Sequence, residues 1–211
     1  MKNKLGLLFM FLGILLLMAA GSLFGTNQLE AYQAEQSCAA VLPQMNQIIT
    51  ENVQNVETKL VLPGTPVELL TPEDVEMTEV EIDGGIYIGY LSIPELSLEL
   101  PVMSDWSDEQ MKIAPCRFSG TVLEENLVLV AHNYQRHFGG IGKLALGTEV
   151  VFVDMNGNVT VYQVAARDEV QPNAVEEVTD GDFPLTLCTC TYGGKRRIVV
   201  YCDYAADGQS A

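Results

Sequence analysis

The chain has 211 residues, enough for one domain with a real core plus accessory segments, and carries 11 basic against 28 acidic side chains, a net charge of −17. That balance argues against nucleic acid as a partner, because a polyanion binder needs a cationic face. The five cysteines form an odd set without zinc-ribbon spacing, so in a monomer at least one thiol is free unless it bonds between chains or is modified.

The uncharged apolar run from Leu5 to Phe24 matches the roughly 20 residues that a helix needs to cross a bilayer. Lys2 and Lys4 precede it and no basic residue directly follows, which predicts a cytoplasmic N-terminus and an extracytoplasmic remainder. A cleaved signal peptide is the alternative, but its apolar region is shorter, about 7–15 residues, and Ala19-Ala20-Gly21 is a loose cleavage site. Residues 1–25 are therefore expected to be a tip and membrane anchor.

Residues 26–85 read as an extracytoplasmic stalk and linker. The first part is rich in Gln, Glu and Ala, with apolar residues at Leu29, Tyr32, Val41, Met45, Ile48 and Ile49, and predicts a partly helical stalk broken at Pro43. Residues 59–84 contain Pro63, Pro66, Pro72 and the acidic stretch Glu68 to Asp83, which predicts an extended spacer ending at Gly84-Gly85.

From Ile86 to the end, short apolar runs are cut by closely spaced turns, the signature of an all-β barrel or sandwich. Tyr87 to Ile93 and Leu96 to Val102 pair around Pro94-Glu95, and Asp108 to Ile113 forms a short helix capped by Ser107. Leu127 to Ala131 is an apolar strand buried on both faces. Glu149 to Val153 and Val159 to Ala165 flank Asn156-Gly157, a strong hairpin signal. Arg167 to Pro184 is a long loop or a short helix, and such loops on a rigid scaffold carry binding determinants.

Thr186-Leu187-Cys188-Thr189-Cys190 and Arg197-Ile198-Val199-Val200-Tyr201 form a second hairpin around Gly193-Gly194. With Leu185, Leu187 and Thr189 on the core face, period-2 alternation sends Cys188 and Cys190 to the other face. In the return strand Ile198, Val200 and Cys202 share one face, so Arg197 rather than Arg196 faces Cys190. A thiol attacks as its thiolate, an arginine offers fixed N–H donors to a developing oxyanion, and an imidazole moves the proton. The chain has two histidines. His132 ends the Leu127 to Ala131 strand, where a polar side chain emerges at the strand mouth, whereas His137 lies in what reads as an exposed loop. Cys202 reads as a small buried hydrophobe, and Cys188 as a packing residue or a redox guard of Cys190. Gly139-Gly140-Ile141-Gly142-Lys143-Leu144 lacks the Ser/Thr and leading Gly of a phosphate loop, and one C-x-C pair is a weak metal signal, so no cofactor or metal is expected.

Thr-Leu-Cys-Thr-Cys at 186–190 resembles the T-L-x-T-C signature of bacterial sortases, Arg197-Ile198-Val199-Val200 resembles their R-x-V-V strand, and Ala131-His132 their His-bearing strand end. The resemblance spans about residues 86–204 and implies an eight-stranded β-barrel with short helices over 86–211. It implies a cysteine transpeptidase with catalytic Cys190, His132 and Arg197, and with Thr189, Ala131 and Pro184 binding substrate. The implied partners are secreted proteins bearing an LPxTG-like C-terminal sorting signal and an amine of a peptidoglycan precursor or a pilin. Before Ile86 there is no aromatic lid motif of the kind associated with pilus-building members, and Trp106 lies in the wrong place for one. Two other readings remain open on the residues alone: a non-catalytic extracytoplasmic thiol-redox or binding protein, and a purely hydrolytic peptidase of the same fold.

Overall fold

The computed structural model describes residues 2–61, 77–180 and 182–205. One helix, α1 (Lys2–Val61), opens the chain. From Leu7 to Phe24 its large apolar side chains stand exposed on all sides, as they must to meet lipid, and the helix is long and apolar enough to span a bilayer once. This fits a single-pass topology with the remainder of the chain extracytoplasmic. Beyond the apolar run α1 changes character and docks by one stripe. Ala34, Cys38, Val41, Met45 and Ile49 recur at spacings of three and four and are buried against the following domain.

Pro43 does not break this helix, contrary to the sequence expectation. Pro43 and Ala39, whose carbonyl loses its partner four residues on, are both exposed, so water can satisfy the carbonyl while the opposite stripe supplies the packing energy. Two polar straps reinforce the dock: Gln44 Nε2 donates to Asp83 Oδ2 at 2.7 Å, and Asn52 Nδ2 donates to the Met155 carbonyl at 2.9 Å.

The remainder is all-β. The strands are β1 (Val80–Ile82), β2 (Gly85–Ile93), β3 (Leu98–Met103), β4 (Cys116–Ser119), β5 (Leu127–Val130), β6 (Glu149–Asp154), β7 (Val159–Val170), β8 (Leu185–Cys190) and β9 (Arg197–Tyr204), with a one-turn helix α2 (Val175–Thr179) between β7 and β8. Their order is β1-β2-β3-β4-β5-β8-β9-β7-β6, and β2 also pairs with β6. Eight strands thus close into a barrel, and β1 is a ninth laid on the outer edge of β2. Closure removes the open edges that would otherwise template aggregation. Where the edge of β2 changes partner from β1 to β6, a Cβ on Gly89 would lie 2.1 Å from the Val153 carbonyl oxygen, so the close approach requires glycine.

Two sequence boundaries move. The spacer expected over 59–84 contains β1, although Pro63, Pro66 and Pro72 lie outside the described residues. The expected loop at 167–184 begins as strand, because β7 continues to Val170 and pairs with β9 as far as Val170↔Arg197. The Pro94–Leu96 turn, the Asn156-Gly157 hairpin and the Ser107 cap, where Ser107 Oγ accepts from the Gln110 N–H at 3.1 Å, form as expected.

The interior is filled by Ile88, Leu91, Leu127, Leu129, Phe152, Tyr162, Leu185, Leu187, Val200 and Cys202, all essentially sealed from solvent. A smaller apolar cluster of Val128, Val170, Val178, Cys188 and Val199 lies on the outer face of β5, β8 and β9, beneath α2. The alternation along β8 therefore divides two cores, one inside the barrel and one under a groove.

Candidate active site

β8 and β9 pair in the register expected from alternation, with Cys190 directly opposite Arg197. Directly opposed residues in an antiparallel pair carry their Cβ atoms about 5 Å apart on one face. The turn between them is closed by the Thr191 N–H to the Arg196 carbonyl at 2.9 Å and by the Gly194 N–H to the Thr191 carbonyl at 2.8 Å. Arg197 Nη1 leans on the Gly194 and Arg196 carbonyls at 3.3 and 3.4 Å. Arg196 is committed elsewhere: it hydrogen-bonds the Glu169 carbonyl, and its Nε lies 3.1 Å from the Glu169 carboxylate.

β5 runs parallel to β8, with Val130 beside Cys188. The pairing continues past the end of β5. The Ala131 N–H donates to the Cys188 carbonyl at 3.2 Å, and Thr189 Oγ1 donates to the Ala131 carbonyl at 2.8 Å. Ala131 is thereby clamped from both sides, and the next residue in register with Cys190 is His132. Beyond it, Asn133 Nδ2 donates to the Thr191 carbonyl at 3.4 Å. The ends of β8 and β9 thus bring Cys190 and Arg197 together, and His132 lies two residues beyond the end of the adjacent β5, outside the lining of the cleft onto which they open. Burial lowers the His132 imidazole below its ordinary value; Glu30 and Asp108 oppose this and Lys112 adds to it. His132 is therefore neutral near pH 7.

Cys190 and Arg197 open onto a cleft of about 420 Å³ floored by the outer cluster. Trp106 and Phe118, with ring centroids 5.4 Å apart, form one wall, and Pro172, Ala174, Val175 and Val178 form the other. Ala131 and Thr189 line it, but Pro184 does not: it lies at the far end of β8, buried, with its carbonyl accepting from the Leu127 N–H at 3.2 Å. Trp106 belongs to this cleft, a place the sequence alone did not suggest. Its residue type offered a signal, since a single tryptophan left 48% exposed is more often at a binding surface than on bland surface.

Of the five free cysteines, Cys190 is the one that is not buried. Burial pushes the thiols of Cys38, Cys116 and Cys202 up to about 12 and that of Cys188 to about 11, Arg197 partly opposing it at Cys188. Inert, protonated thiols are what a packing role requires.

His137 is fully buried, against the expectation of an exposed loop. It is covered by α1, and Cys38 Sγ lies 3.6 Å from its Nε2 and 3.3 Å from the Ile113 carbonyl oxygen. Burial lowers His137 to about 4, so this second thiol–imidazole pair is neutral on both sides at pH 7. Neither member lines the cleft. The described residues contain no cluster of three or more metal-ligating side chains.

The model of the sortase domain matches residues 91–205, more than half of the chain. Sortase A of Bacillus anthracis is 29% identical over 197 residues, covering 87% of each chain. Among solved structures, sortase C1 of Streptococcus agalactiae superposes with a TM-score of 0.56 at 21% identity, covering 80% of this chain and 99% of that one. Clostridium perfringens sortase C, solved with the C-terminal cell wall sorting motif, superposes with a TM-score of 0.54 at 21% identity, covering 81% and 98%.

Proposed function

Since this chain belongs to the sortase family of cysteine transpeptidases, we propose that Cys190, His132 and Arg197 carry its reaction and that its substrates are secreted proteins ending in an LPxTG-like sorting signal. The observation that carries this reading is the pairing of Cys190 with Arg197 across β8 and β9, with His132 two residues past the end of the neighbouring β5.

As Cys190 Sγ bonds to the carbonyl carbon of the scissile peptide, neutral His132 accepts the thiol proton. Arg197, already braced on the turn carbonyls, donates to the oxyanion. The C–N bond then breaks, His132 protonates the departing amine, and a thioester remains on Cys190. An incoming amine loses its proton to His132 and bonds to the thioester carbon. The S–C bond breaks, and the proton returns to sulfur. The apolar cleft between Trp106 and Val175 suits an uncharged, proline-containing segment preceding the scissile bond, and Ala131 and Thr189 lie where that segment would pass. The amine would come from a peptidoglycan precursor or a pilin. The solved complex of the Clostridium perfringens enzyme with a sorting motif supports this substrate class.

A second reading makes Cys38 and His137 the catalytic pair, and their 3.6 Å contact favours it. Their burial and neutrality oppose it: a thiol held near 12 presents almost no thiolate at pH 7, and α1 blocks approach.

The test is to incubate the full chain in detergent with an LPxTG-type peptide, with and without an added amine, and weigh the products. A ligated product that requires the amine is expected. Water-terminated product alone in both samples would make the protein a peptidase, and no cleavage would remove the substrate class.

A further inference from the structure

The His132 ring makes no side-chain hydrogen bond among the described residues, and its Nε2 is buried without a partner. What holds the ring is a stack. Tyr134 lies 4.9 Å from it, centroid to centroid, with the planes 30° apart. Tyr134 is itself fixed at every point. Its carbonyl accepts from the His137 N–H at 3.0 Å and the Gly139 N–H at 2.9 Å, and the His132 carbonyl accepts from the Phe138 N–H at 3.2 Å, which closes the loop on itself. A Cβ on Gly139 would lie 2.6 Å from the Asn133 carbonyl oxygen and 2.7 Å from that of Tyr134, so the closure depends on glycine. The His137 ring lies 5.6 Å from the Tyr134 ring, and the Tyr134 hydroxyl donates to Glu30 Oε2 on α1 at 3.3 Å. Five residues further along α1, Glu35 pairs with Arg136 of the same loop at 3.3 Å.

We propose that Tyr134 is the positioning residue of His132, and that Glu30, through the Tyr134 hydroxyl, ties the imidazole to the helix that leaves the membrane. A general acid–base group must meet two reacting atoms in turn, the Cys190 sulfur and the amine nitrogen, and an imidazole without a hydrogen-bonded orienting partner has a freely rotating ring. Stacking on an immobile phenol restricts that rotation without engaging either ring nitrogen in a hydrogen bond. The groups facing His132 and Tyr134 are Glu30 from α1, Asp108 and Lys112 from the turn after β3, and His137 from the loop itself. Of these, Glu30 is the one whose side chain hydrogen-bonds a ring of the stack, and it belongs to the element that is continuous with the membrane anchor.

Because this role rests on His132 being the acid–base group, the readout is taken on the ring itself as well as on turnover. Two histidines make the spectrum simple: the full chain, labelled with ¹³C,¹⁵N-histidine in detergent micelles, gives two ring signals, assigned with His137→Asn. Tyr134→Leu is expected to move the His132 ring signals and to lower kcat by roughly two- to tenfold, the worth of one aromatic contact, with KM little changed. Tyr134→Phe and Glu30→Ala each remove only the tether. Each should lower kcat by less than the leucine variant, and the double variant should fall no further than either single one, because both break one hydrogen bond. Unmoved His132 signals in Tyr134→Leu would overturn the stack, and additive losses in the double variant would overturn the tether. Should Tyr134→Leu not fold, Tyr134→Met decides the stack by the same signals, and unmoved His132 signals in it overturn the proposal. Full turnover by His132→Ala would instead remove the acid–base reading while leaving the ring signals to report the stack.

Discussion

Replacing Arg197 by alanine is expected to cost far more activity than replacing its neighbour Arg196. Arg197 stands opposite Cys190 in the β8–β9 register, and only its Nη1 is engaged, on the Gly194 and Arg196 carbonyls. The rest of the five-donor guanidinium is uncommitted among the described residues and available to an oxyanion forming at the thiol. Losing one prepositioned oxyanion donor costs about 2.7–4 kcal/mol of barrier, or roughly 10²–10³ in kcat. Arg196 points to Glu169 in an ion pair whose side chains are 44% and 55% exposed, and such a pair contributes about 0–1 kcal/mol to stability and nothing to the cleft. Turnover of an LPxTG-type peptide with added amine, measured beside the thermal midpoint, separates the two. Arg197→Ala should lose activity with its melting temperature nearly unchanged, and Arg196→Ala should keep its activity. Equal losses of turnover in the two variants would refute the register argument.

Two further outcomes follow from how α1 docks. His137 binds a proton near 6.5 when unfolded but only near 4 when buried, so the unfolded chain takes up protons first and stability falls as pH drops from about 6.5 to 4. The loss from this one group reaches about 3 kcal/mol, and it shows as the difference in urea midpoint between pH 7 and pH 4.5 for the wild type less that for His137→Asn; identical pH slopes would contradict it. Met45 is fully buried in the α1 stripe, so Met45→Ala should cost about 2–5 kcal/mol of docking, read as faster hydrogen exchange of helix amides around Val41 to Ile49. Unchanged exchange there would show that the stripe does not hold the helix.

The site was more legible in the sequence than its surroundings. Alternation along two short strands is sufficient to pair Cys190 with Arg197, because a one-residue slip would turn Leu185 and Leu187 out of the core. The neighbourhood of His132 follows from a strand end. What sequence periodicity could not carry was contact between distant segments. His137 has polar neighbours in the chain, and the α1 stripe, reaching it at Cys38, helps to bury it. Pro43 reads locally as a breaker, yet the helix continues because its lost hydrogen bond faces solvent and its packing lies on the other side. β1 is a three-residue edge strand in an acidic stretch, too short for an alternation signal. Trp106 takes its place from neighbours on other elements, and Tyr134 from a loop that folds back on itself beneath α1, to which linear spacing is blind.

The proposed nucleophile is Cys190, and not the buried Cys38. The direct measurement is intact and peptide mass spectrometry of the full chain quenched in acid during turnover of an LPxTG-type peptide. One acyl adduct is expected on the peptide carrying Cys190, lost in Cys190→Ala and kept in Cys38→Ala. An adduct on Cys38, or undiminished turnover by Cys190→Ala, would contradict it.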